Sequence, residues 1–87
     1  MKAKEIARAL IGKTIFYRNS WNGECDSFVI GHIEIGQTAS IRLRYGRDRG
    51  WGVFVPKSLL PTLISTGRCE YNFCIEGCNC IEEWELI

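Results

Sequence analysis

Apolar and polar residues alternate with period two in several stretches of this chain, and two short stretches switch to the period of a helix. The first covers residues 2–11. Ala3, Ile6, Ala7, Leu10 and Ile11 recur at i, i+3, i+4, i+7 and i+8, while Lys2, Lys4, Glu5 and Arg8 take the other side. Gly12 is the expected stop, because glycine tolerates the left-handed conformation that follows a helix end. The second stretch covers 59–66, with Leu60, Leu63 and Ile64 apolar, Ser58 placed to cap it, Pro61 in its first turn and Gly67 closing it. Helices this short do not persist alone, so both must dock on something.

The remaining stretches predict strands. Residues 13–18 are rich in β-branched and aromatic types. A loop over 19–25 contains Asn22-Gly23, the strongest turn signal in the chain. Residues 27–35 read as one strand bent at Gly31, and Gly36-Gln37 starts a turn. In 39–45, Ala39, Ile41, Leu43 and Tyr45 share one face and Ser40, Arg42 and Arg44 the other, which predicts Ile41 and Leu43 in the core with both arginines outside. Residues 46–50 turn and 51–55 pair back, placing an aromatic from 51–54 beside Arg42 or Arg44, before Pro56 ends the strand. In 68–76, Cys69, Tyr71, Phe73 and Ile75 alternate with Glu70, Asn72, Cys74 and Glu76. Gly77-Cys78-Asn79 is the predicted turn, and 80–87 the last strand, with Trp84 and Leu86 on one face.

Together these elements predict a β-rich α+β domain over residues 1–87. The expected order is N-terminal helix, four strands in meander order, short helix and closing two-stranded hairpin, giving five to six strands. Short antiparallel strands with glycines at bends suggest a small, partly open barrel, SH3-like or OB-like in style. The alternative is one curved sheet with both helices on one side.

Eighty-seven residues, 46% hydrophobic and 24% charged, suit one folded domain. The net charge of +1 conceals a division. Residues 1–57 carry ten of the eleven Lys/Arg and five of the ten Asp/Glu, net +5; residues 58–87 carry one Arg and five Glu, net −4. No apolar run suits an export signal or a membrane span of ~20 residues. Five cysteines without such a signal predict a reduced, cytoplasmic protein, and the odd count argues against a closed disulfide framework.

Candidate chemistry concentrates in the hairpin 42–54. Arg42, Arg44, Arg47 and Arg49 interleave with Tyr45, Trp51 and Phe54, and glycines at 46, 50 and 52 allow close approach to the backbone. Phosphates are bound by such cations, and bases stack on such rings. Lys13, Arg18 and Lys57 extend the patch. The same residue types dominate protein–protein hot spots, and the near-neutral total charge favours a protein or nucleoprotein partner over direct nucleic-acid binding. Glu70, Glu76, Glu82, Glu83 and Glu85 predict an acidic face on the last hairpin, with Trp84 as its anchor.

Cys69, Cys74, Cys78 and Cys80 suffice by count for a structural zinc. Their spacing lacks the Cys-x2-Cys pairs of common zinc knuckles, and alternation sets Cys69 and Cys74 on opposite faces. No metal or cofactor is therefore expected. One histidine, His32, has only Cys25 or more distant thiols as a nucleophilic partner, and Asp26, Glu34 and Asp48 fall in different elements. No phosphate-loop or dinucleotide glycine motif occurs.

The expected role is binding without catalysis, as an adaptor or inhibitor acting through 42–54, with a small nucleic-acid-binding barrel as the alternative. The compact form, free cysteines and split charge resemble in style the small phage proteins that block host nucleic-acid machinery, anti-CRISPR inhibitors among them.

Overall fold

Antiparallel pairing divides the chain into two sheets with one core between them. A computed structural model describes residues 2–46 and 52–87. Helix α1 spans Ala3–Leu10, followed by strands β1 (Thr14–Asn19), β2 (Cys25–Val29), β3 (His32–Ile35), β4 (Ser40–Arg44) and β5 (Gly52–Pro56). A 3-10 turn at Lys57–Leu59 leads into α2 (Leu60–Thr66), and β6 (Arg68–Ile75) and β7 (Cys78–Leu86) close the chain. The sheet orders are β2-β1-β7-β6 and β3-β4-β5. Among the described residues the two sheets do not close into a barrel, which corrects that detail of the expectation. The described residues form seven strands rather than five to six, the expected four-strand meander is broken at Gly31, and β7 pairs with β1.

The extra strand comes from Gly31. Residues 27–35 are two strands, not one. The Ile30 N–H donates to the Lys13 carbonyl at 2.9 Å, on the first sheet, and the Gly31 N–H donates to the Arg44 carbonyl at 2.9 Å, on the second. The chain changes sheets within this one step. A Cβ at Gly31 would lie 2.5 Å from the Tyr45 carbonyl oxygen, so the approach of the two backbones requires glycine.

Alternation places the core as expected in most strands. Ile41, Leu43, Val53 and Val55 face inward from the second sheet, and Ile15, Tyr17, Phe28, Cys69 and Trp84 from the first. Helix α1 adds Ile6 and Leu10, and α2 adds Leu60 and Leu63. The stripe of α1 is narrower than its sequence suggests. Ile11 has left the helix in extended conformation and is exposed. Gly67 caps α2 at φ 86°, its N–H donating to the Leu63 carbonyl. The last hairpin turns one step earlier than expected, on Glu76-Gly77, both at positive φ (50° and 82°), as a tight two-residue loop requires. Among the described residues, no helix is long and apolar enough to cross a membrane.

The Gly31 crossing is testable by its neighbour in type. Gly31→Ala should lower the urea midpoint by an amount equivalent to about 1–3 kcal/mol, the usual cost of forcing atoms into a filled space. Gly36→Ala, whose added Cβ meets nothing within 4 Å, should stay within about 0.5 kcal/mol of the parent. Equal midpoints for the two variants would refute the assignment.

Candidate functional site

The outward face of β3-β4-β5 holds the described part of the basic hairpin. Register aligns His32 with Arg44 and Gly52, and Glu34 with Arg42 and Phe54. Both arginines reach one carboxylate oxygen. Arg44 Nη1 donates to Glu34 Oε1 at 3.0 Å, and Arg42 Nη1 lies 3.6 Å from the same atom. The Arg42 guanidinium also sits 5.5 Å from the centre of the Phe54 ring, the neighbour that hairpin pairing predicted. Gly52 makes room for both stems, since a Cβ there would come within 3.1 Å of Arg44 Cγ and 3.3 Å of Arg42 Cγ.

These arginines differ from the freely outward cations expected. Their side chains are only 12% (Arg44) and 30% (Arg42) exposed, and each Nε is buried with no hydrogen-bond partner among the described residues. Two guanidiniums on one carboxylate leave excess positive charge, but its carriers are held in place. Glu34 is the residue that sequence reasoning missed. The β3–β4 register places it opposite Arg42. Tyr45 lies just past β4 and is exposed. Arg47, Arg49 and Trp51 lie outside the described residues.

Beside this face runs a groove of about 560 Å³, lined by Phe54, Tyr71, Glu82, Ser40, Pro56 and Lys57 among others. Phe54 and Tyr71 are 57% and 47% exposed, so Phe54 is not core. Tyr71 stacks on Phe73 at 5.8 Å and 16°. Glu82 is anchored from beneath. The buried Tyr17 hydroxyl donates to Glu82 Oε2 at 2.7 Å, and Asn19 Nδ2 donates to the Tyr17 oxygen at 3.0 Å. The Tyr17 ring lies 5.8 Å from that of Trp84. Burial, reinforced by the Glu82 hydrogen bond, pushes the Tyr17 phenol up to about 12.

The structure does not gather the five glutamates on one face. Glu70, Glu83 and Glu85 project from the outward side of the first sheet, Glu82 from the inward side, and Glu76 sits in the turn. Glu83 is paired with Arg18 at 2.8 Å, and Glu85 stands opposite Arg68. Trp84 is 1% exposed and belongs to the core, not to an anchor.

The cysteines are also dispersed. Cys69 is buried opposite Trp84, and Cys74 is exposed opposite Asn79, on the other face from Cys78 and Cys80. Among the described residues, no three His, Cys, Asp or Glu side chains come together as a metal site. His32 and Cys25 lie on different sheets.

The chain matches no family model, no curated protein and no solved structure. What bears on function is the arginine–phenylalanine face and the adjoining groove. This surface combines exposed rings, a fixed carboxylate and constrained cations.

The Tyr17–Glu82 link predicts alkaline sensitivity. The folded phenol keeps its proton to about pH 12 against 10.0 unfolded, so the stabilisation is complete below pH 10 and disappears as the pH climbs towards 12. Burial moves the Cys69 thiol from 9.0 to about 11, with the same sign. Urea midpoints should fall from pH 9 to 12, and Tyr17→Phe should flatten the upper part of that fall. At neutral pH this variant should be about 1–2 kcal/mol less stable, because Glu82 and Asn19 lose their common partner. A midpoint unaffected by alkali would refute the assignment.

Proposed function

We propose that this chain is a non-catalytic binding protein that engages another macromolecule through the outward face of β3-β4-β5 and the groove beside it. The observation that carries the proposal is the pair Phe54 and Tyr71, both about half exposed, on one groove next to a guanidinium stacked on an aromatic ring. Rings held at a surface by strands offer large contact area at low entropic cost, which is why such residues dominate protein interfaces.

A protein partner is favoured over nucleic acid because Arg42 and Arg44 are already engaged by Glu34 and are largely covered. Phosphate binding relies on cations free to displace counterions. Direct nucleic-acid binding by Arg42, Arg44, Arg47 and Arg49, with stacking on Tyr45 or Trp51, is the competing proposal. The narrower form of the leading proposal is a cytoplasmic inhibitor of phage type, directed at host nucleic-acid machinery in the manner of an anti-CRISPR protein. Its support is the contact surface.

Immobilised protein should retain one specific partner from a native-host extract after nuclease digestion. Phe54→Ala and Tyr71→Ala should each reduce that capture about tenfold, with stability changed by no more than about 0.5 kcal/mol, as befits exposed positions. Arg18→Ala, on the other sheet, should leave capture intact. Retention of capture by both groove variants would sink the proposal. Tight binding of a single-stranded oligonucleotide, with a salt dependence reduced by about one phosphate's worth in Arg44→Ala, would establish the competing one.

A further inference from the structure

The groove has a polarity and a backbone edge that together specify what enters it. The Lys57 N–H donates to the Ala39 carbonyl at 2.8 Å, and β4–β5 pairing continues in register through Ile41↔Val55 and Leu43↔Val53. Because antiparallel pairs alternate in the direction of their main-chain groups, those of Val53 and Val55 face β4. Those of Gly52 and Phe54 face away from it. On that side β5 has no strand neighbour among the described residues. Pro56 lacks an N–H, so the donors of this edge are confined to Gly52 and Phe54.

The groove's chemistry adds a sign. One oxygen of Glu82 is held by Tyr17, and the other has no hydrogen-bond partner among the described residues. The neighbouring cation, Lys57, is directed elsewhere, its Nζ donating to the Gly36 carbonyl at 2.6 Å. A carboxylate fixed beside exposed rings is a composition that attracts a cation and disfavours an anion.

We propose that an extended segment of a partner protein, carrying a Lys or Arg side chain, adds as a strand to the free edge of β5 and sets its cation against Tyr71 and Glu82. This rests on the contact reading above and names its ligand. Backbone pairing supplies affinity without sequence preference, and the cation supplies the selection, as in other strand-addition interfaces. The arginines remain beyond the groove, where their charge directs the basic side chain of the incoming segment towards Glu82 rather than across the outward face.

The test is an amide NMR titration of the whole chain with an acetylated, amidated pentapeptide of alternating Val and Lys, compared with its Val/Glu counterpart. The Lys peptide should shift the amides of Gly52, Phe54, Tyr71 and Glu82 and bind about tenfold more tightly than the Glu peptide, the scale of one charge-assisted contact. Glu82→Gln keeps an acceptor for Tyr17 and so should fold normally, yet should remove most of that preference. Methylating the peptide's central amide nitrogen should weaken binding, because strand addition needs that donor. Equal affinity for the two peptides, or shifts away from β5, would overturn the proposal. In that case Phe54→Ala still abolishing partner capture would preserve the broader contact reading, and its failure to do so would remove both.

Discussion

One peptide step holds the two sheets in their relation. Ile30 is bonded to β1 and Gly31 to β4, so the direction of the backbone hydrogen bonds turns over between adjacent residues. Buried main-chain groups must be paired, and here they are paired to different sheets with no intervening loop to absorb error. The inward faces of both sheets are thereby set at contact distance. Leu10, Ile15, Ile41, Leu43 and Trp84, all nearly inaccessible to solvent, fill the space between them. A bulkier residue than glycine would drive the β3 start away from the Tyr45 carbonyl, and the loss would be shared by the whole core.

The period of the hydrophobic pattern disclosed most of the elements. Both helices, the 39–45 alternation and the last hairpin stand where the spacing of Ile, Leu and aromatic residues placed them. The sheet assignment was hidden because 27–35 has the composition of a continuous strand on both sides of Gly31. A glycine in a strand signals a bend or a close approach, but composition alone does not say that pairing partners change there. The turn at Glu76-Gly77 was missed for a related reason. A non-glycine residue at positive φ carries little signature, whereas Gly77-Cys78-Asn79 resembles a common loop.

The surface was legible in residue type and opaque in linkage. Arg42 and Phe54 face each other as hairpin geometry requires. Glu34 enters only through the three-strand register, and it changes the meaning of the arginines from mobile cations to parts of a fixed surface. Tyr71 and Glu82, more than fifteen residues further on, complete the groove by long-range packing, which no local pattern encodes. The glutamates showed the reverse problem. Consecutive residues Glu82 and Glu83 project from opposite faces of one strand, so a run of like charges in sequence was not a patch in space.

The position of β1 has a consequence for how this protein comes into being. It is an interior strand whose two neighbours arrive at very different times during synthesis. β2 follows within a few residues, but β7 lies far downstream, and the Tyr17 hydroxyl waits for a carboxylate 65 residues further on. Until then the β1–β2 hairpin has an open edge and an uncovered apolar side, and an isolated two-stranded hairpin is marginal in water. The first sheet is therefore completed only once β7 has been made, and a chain lacking β7 leaves one side of β1 unpaired. The same arrangement makes pairing of β7 the event that both buries Trp84 and brings Glu82 to the groove.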